Sequence, residues 1–190
     1  MIEALHKEIS LLQELRTKLI ADVVTGQIDV RDAIIPEYDN TEENIEINDL
    51  YFVCYMIERV ARHIHQKNRY VVNTIGRDGL YHLISVANVL HAENPSKVED
   101  DWIKDYDLKD SDFDITAVDK ELAEKIPSAL EMGEVYQRLI NDTLDSKEDY
   151  VDGIMRVYNN EICDTIDNYN YSAFYEPSYV IARAYQSGGF

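Results

Sequence analysis

The sequence is poor in cysteine, glycine, proline and positive charge, and each scarcity closes off a class of function. Two cysteines in 190 residues cannot build the disulfide framework of a small secreted domain, and no CxxC pair exists to hold zinc. Cys54 and Cys163 both fall inside apolar helical patterns, so they are expected as reduced, buried thiols. The seven glycines never gather into a phosphate-cradling loop, and no serine stands in a GxSxG turn. No catalytic residue, enzyme activity or cofactor is expected. The apolar runs fall far short of the roughly 18–20 residues that span a bilayer, so no membrane partner is expected either. The opening "MIEALHKEIS" mixes acids among its bases and has no apolar stretch closed by small residues. It does not read as a secretory signal, and a cytoplasmic location is expected.

Positive charge is the deepest deficit: 18 bases stand against 37 acids, for a net charge of −19. A surface so acidic does not bind nucleic acid generally, because every phosphate contact asks for a cation. The imbalance is uneven along the chain. Residues 1–49 hold four bases and twelve acids, residues 83–190 nine and twenty-three, but residues 50–82 hold five bases and two acids. Within that middle stretch "ERVARHIHQKNR" gathers Arg59, Arg62, His63, Lys67 and Arg69. Arg59, Arg62 and His63 lie within one helical turn, so they are candidates to meet phosphates or an acidic partner. The competing reading is that these cations pair with the acidic carboxy-terminal half of the same chain.

What is present in quantity is helical periodicity. Ile2, Leu5, Ile9, Leu12, Arg16, Leu19 and Val23 follow alternating spacings of three and four, a heptad seam interrupted once by Arg16. They predict a long amphipathic, coiled-coil-like helix that stops at Thr25 and Gly26, followed by an extended stretch over 27–35. Pro36 and "EYDNTEEN" mark a linker, giving an amino-terminal element over 1–35, a linker over 36–47 and an acidic helical domain over 48–190. In that domain Asn48 or Asp49 is expected to cap a helix with Leu50, Val53, Ile57, Val60, Ala61 and Ile64 on one stripe. Gly76 and Gly79 split a short helix from a longer one carrying Leu80, Leu83, Ile84, Ala87 and Leu90, and Pro95 suits the first turn of a helix through Trp102. Ser128 with Glu131 reads as a capping box for a helix to about Leu144. Ser146 with Asp149 reads as a cap for one running to about Asp167, and a last helix follows Pro177. The expected fold is all-α, a compact bundle of about six helices after the amino-terminal one.

Two chemical signals deserve weighing against plainer readings. Asp110, Asp112, Asp114 and Glu121 occupy positions 1, 3, 5 and 12 of a calcium loop. Ile115, however, stands where the loop needs glycine, and Val118 where a polar ligand is usual, which favours a solvated acidic loop. His63 and His65 are two apart, about 200° round a helix, so one regular helix cannot offer both to one metal. The tyrosines crowd late, in "YNYSAFYEPSYVIARAY", where Tyr169, Tyr171, Tyr175 and Tyr179 read either as a contact surface or as packing of the last helices.

The run from Leu11 through Leu12, Glu14, Arg16, Leu19, Ile20, Val23, Val24, Thr25, Gly26, Ile28, Asp29, Val30, Arg31 and Asp32 resembles the end of type I restriction-modification specificity subunits, where a long helix closes on a TGKIDVRD-like tail. The likeness covers about residues 5–33. In that family such helices separate two DNA target-recognition domains and dock on the methyltransferase subunits. The resemblance implies a partner-binding helix in a bacterial defence system, using the Ile2 to Val23 seam against methyltransferase subunits or a second copy in a homodimer. This sequence carries no target-recognition domain ahead of the helix, so DNA is expected to enter only indirectly, through the complex. The expected function is therefore a non-catalytic interaction subunit related to the specificity subunit. The alternative is an acidic regulator, a DNA mimic or antitoxin-like protein, whose carboxylates over residues 99–149 occupy a basic site on a nucleic-acid enzyme or toxin.

Overall fold

The computed structural model describes residues 45–123 and 125–190 together with Lys18. All but Lys18 belong to the second of two units, Met1–Glu42 and Glu43–Phe190. The seam from Ile2 to Val23, the extended 27–35 stretch and the linker up to residue 44 lie outside the described residues.

The described residues form eight α-helices and one short 3-10 turn, with no strand. Six are longer than one turn and a half: α1 Ile47–His63, α2 Asn68–Ser85, α4 Pro95–Asp105, α5 Ala129–Thr143, α6 Tyr150–Tyr158 and α8 Ser178–Ser187. Two are short, α3 Ala87–Leu90 and α7 Ile162–Ile166, and the 3-10 turn spans Ala173–Tyr175. The short pieces are departures from the sequence pattern. The apolar register of Leu80 to Leu90 is broken at Val86, which leaves helical geometry with ψ of 3°. The helix expected to run unbroken to about Asp167 ends at Tyr158, and α7 restarts after Glu161. There Arg69 donates to the carbonyls of Tyr158 and Asn160 at 3.1 and 2.8 Å, so a long-range cation satisfies the chain where the helix stops.

Caps explain most of the remaining boundaries. Glu46 precedes α1, its N–H donating to Asp49 Oδ2 at 2.8 Å; Asn48 and Asp49 thus lie inside the first turn and neither is the capping residue. Ser128 and Glu131 close a reciprocal box at α5, as the sequence indicates. At α6 the cap is Asp149 with Asp152, and Ser146 stays in the preceding loop. Asn94 caps α4 by accepting from the Ser96 N–H at 2.9 Å.

α1 is the axis of the body. It packs along α5, and also against α2, α3 and α4; α2 and α5 both pack on α6, and α5 on α8. Leu50, Val53, Cys54, Met56, Ile57, Val60 and Ala61 are wholly buried, on several sides of α1 rather than along one stripe. The close approach of α1 and α5 depends on Gly133, since a Cβ there would lie 2.8 Å from Tyr55 Cα. Gly76 (φ 70°, ψ 174°) bends α2 in a region essentially reserved for glycine, and residues on both sides of the bend meet α6 or its ends. Gly79 stays helical; its role is contact, a Cβ there meeting the Tyr106 ring at 2.7 Å. Among the described residues no helix is long and apolar enough to cross a membrane.

Candidate functional site

One wholly buried carboxylate, Glu58, sits on the central helix in the middle of the apolar core. Its Oε1 accepts from Arg62 Nε at 2.7 Å and from the Tyr169 hydroxyl at 2.5 Å, and its Oε2 accepts from Asn68 Nδ2 at 2.6 Å. Arg62 also donates to the Pro127 carbonyl at 2.9 Å and to the Tyr169 hydroxyl at 3.1 Å. Burial works against the Arg62 charge, but Glu58 and Tyr169 more than offset it and push the group upward. This is one complete buried ion pair with its lone pairs occupied, the condition under which such a pair is tolerated.

A second carboxylate joins the same network without a cation of its own. Asp167, at the end of α7, accepts at 3.2 Å from the same Asn68 amide and at Oδ1 from the Tyr136 hydroxyl. Burial pushes Asp167 up to about 8, and the nearby Glu58 charge adds to this, while the bonds from Tyr136 and Asn68 pull the other way. Tyr136 is stacked on Tyr158 with ring centroids 4.2 Å apart, which fixes the hydroxyl that Asp167 accepts. Asp167 forms part of the wall of a cleft of about 400 Å³, shared with Lys67, Phe113, Asp114, Asp164 and Tyr169.

The basic cluster read from the sequence is not one patch. Arg59 donates to Glu99, Ser96 and Tyr55, and His63 meets the other oxygen of the same Glu99. Arg62 turns inward to Glu58, Lys67 reaches Asp164 at 3.3 Å, and Arg69 goes to the two carbonyls at the end of α6 with Asp164 at 3.5 Å. These cations hold the helices of their own chain together. The acids are placed differently. Residues 100–114 carry seven acids and two bases; Asp100, Asp101 and Asp105 are exposed at positions spread around α4, and the chain continues into an exposed loop with Asp107, Asp110, Asp112 and Asp114. Lys109 is drawn to Asp107, and Lys97 to Glu93. Asp100, Asp101, Asp105, Asp110 and Asp112 have no ion pair among the described residues.

The calcium-loop candidates do not converge. Asp114 accepts from its own neighbour Thr116, which holds its carboxyl below the usual range. Ile115 is buried in the core, pinning the chain between the two halves of the would-be loop. Among the described residues no three of His, Cys, Asp or Glu are placed to hold one metal ion. Cys54 and Cys163 are free and buried; burial pushes the Cys54 thiol up to about 12 and the Cys163 thiol higher still, so neither offers a thiolate nucleophile. Of the late tyrosines, Tyr169 belongs to the buried network, whereas Tyr171, Tyr175 and Tyr179 are exposed on or beside the 3-10 turn and α8.

The carboxylates at the heart of this site were readable only in part. "LYFVCYMI" is apolar on every side of a helix, a signal that Glu58, which follows it directly, falls on a deeply packed stretch. Asp167 in "DTIDNYN" carries no such signal among twenty-three acids of its segment. No family model, curated protein or solved structure matches this chain.

Proposed function

We propose that this chain is a non-catalytic interaction protein whose helical body docks its acidic face on a basic surface of a nucleic-acid enzyme or toxin. One observation carries the reading: Arg59, Arg62, Lys67 and Arg69 are spent on internal pairs, whereas Asp100, Asp101, Asp105, Asp110 and Asp112 face solvent with no ion pair among the described residues. Charge of one sign on a rigid helix and its following loop favours a partner of opposite sign, accelerates encounter and suppresses wrong pairings. It also mimics a row of phosphates. The buried, protonated thiols fit a protein that binds rather than turns over substrate. To test this, the chain is immobilised and presented with an extract of its own host at about 50 mM salt, where charge attraction reaches furthest. A basic protein retained by the parent, and lost when Asp100, Asp101, Asp105, Asp110 and Asp112 are all changed to Asn, supports the reading. Equal retention by the two contradicts it.

The amino-terminal segment supports a second contact, on the strength of its TG, ID and VRD run in that order. Its seam of Ile2, Leu5, Ile9, Leu12, Leu19 and Val23 would dock on methyltransferase subunits of a type I restriction system or on a second copy. Together the two contacts describe a tethered acidic body held beside a DNA-handling enzyme. Leu12→Asp with Leu19→Asp places two charges where pairing must desolvate them. Light scattering after size exclusion, with and without those subunits, should show the association lost in the double variant. Association that survives it removes the seam.

A further inference from the structure

With Asp167 ionised, the network around it is short of one positive charge and rich in acceptors. Glu58 and Asp167 both touch Asn68, yet the one guanidinium of the network, Arg62, gives its bonds to Glu58, Tyr169 and Pro127, and none to Asp167. Asp167 accepts two bonds where a carboxylate has room for about four. Asn68 is wholly buried, both of its amide bonds run to carboxylates, and its Oδ1 has no partner. The imbalance is therefore on the acceptor side. Asp167 also borders an opening by which a donor can arrive, the cleft of about 400 Å³. The other walls suit the same visitor: Asp114 and Asp164 add negative charge, and Phe113 presents an aromatic ring near which a cation already stands, Lys67 Nζ being 5.6 Å from its centroid. Lys67 is half-exposed and bonded only to exposed Asp164, so it is easily displaced.

We propose that this cleft receives one organic cation, the guanidinium of an arginine side chain from the basic partner, between the Asp167 carboxylate and the Phe113 ring. The inference rests on the acidic-face reading for the origin of the arginine, and on the cleft alone for the chemistry. A guanidinium brings only donors, which is what Asp167 lacks, and a planar cation that stacks on an aromatic face. Loop 107–114 supplies both the outward carboxylates and the Phe113 and Asp114 walls, so a partner drawn to the first is delivered to the second.

Binding is linked to a proton. Asp167 keeps its proton up to about pH 8 and must release it to meet a cation. The groups around it are Glu58 and Arg62 from α1, Lys67 and Arg69 from α2, Tyr136 from α5, Tyr158 from α6, Cys163 and Asp164 from α7, with Asp114 and Tyr169 from the loops. Tyr136, Tyr158, Tyr169 and Cys163 are all pushed upward by burial and stay protonated at pH 9, and Asp114 is held low. The change between pH 7 and 9 therefore belongs to the buried carboxyl pair that meets at Asn68, with Asp167 the member that borders the cleft.

The probe is propylguanidinium, whose own charge is constant over that range, titrated calorimetrically into the full chain. Affinity should rise about tenfold from pH 7 to 9, following the ionised fraction of a carboxyl near 8, with proton release at pH 7. Asp167→Asn should abolish the pH effect and most of the binding. Phe113→Ala, at the cleft wall and away from the buried network, should weaken binding several-fold with the pH effect intact. No binding at pH 9, equal affinity at both pH values, or full binding by both variants overturns the cleft assignment and leaves the acidic face standing. In a last arm propylguanidinium competes with the captured partner at pH 9. Release of the partner supports the arginine source; a cleft that fills without loosening the partner overturns that source and assigns the site to a free small cation.

Discussion

Glu58 and Asp167 lie within one hydrogen-bond network but carry different risks. Glu58 has three donors, one of them the Arg62 guanidinium, so removing it strands Arg62 half-buried, leaves Tyr169 without its acceptor and leaves Asn68 with Asp167 alone. Glu58→Ala should cost about 3–5 kcal/mol, the usual penalty for breaking a buried pair from one side, read as a fall in the urea midpoint. Asp167 acts through protons. Unfolded it releases its proton near the ordinary 3.8, folded only near 8, so the native state binds the extra proton between those values. Stability therefore falls as pH climbs from about 4 to 8 and levels off above. Thermal melts across that window should show a shallower slope for Asp167→Asn than for the parent; an identical slope would place the titration elsewhere. Neither residue's role was legible from pattern, since periodicity ranks apolar positions and is silent on which acid a core will enclose. The apolar run ahead of Glu58 was a partial signal only, since α1 keeps a solvent side at Tyr51, Arg59 and His63 that the run does not mark.

Helices and their caps were the legible level. Ser128 with Glu131 and Pro95 after Asn94 are local chemistry, decided within four residues, and the structure keeps both. The breaks at Val86 and after Tyr158 were not legible, because the apolar period continues through them and the interruption comes from distant groups such as Arg69. Gly133 belongs to the same lesson. In sequence it looks like a weakness inside α5, yet its missing Cβ lets α5 lie against the Tyr55 backbone of α1, 2.8–2.9 Å from where that atom would be. Gly133→Ala gains about 1 kcal/mol of helix propensity and forces apart the longest contact in the body, at about 1–3 kcal/mol. The second effect wins, and the melting temperature should drop by several degrees. A rise would mean that α1 and α5 are free to separate.

At the scale of the molecule, the net charge of −19 is a statement about partners, and the structure gives it a direction. Counting charge along the chain located the basic segment 50–82, and internal pairing with the acidic carboxy-terminal half is the use that Arg59, Lys67 and Arg69 show, whereas Arg62 turns to Glu58 of its own helix and five acids of α4 and its loop stay outward. In the function proposed above, the segment that resembles specificity-subunit ends would be the anchor and the acidic body the charged face. The most direct test of that face is the salt dependence of its affinity for the captured basic partner, measured from about 50 to 500 mM salt for the parent and the five-Asn variant. The logarithm of the association constant should fall linearly with the logarithm of salt concentration for the parent, and with a markedly smaller slope for the variant. An affinity indifferent to salt, or one slope shared by both proteins, would contradict docking through the acidic face.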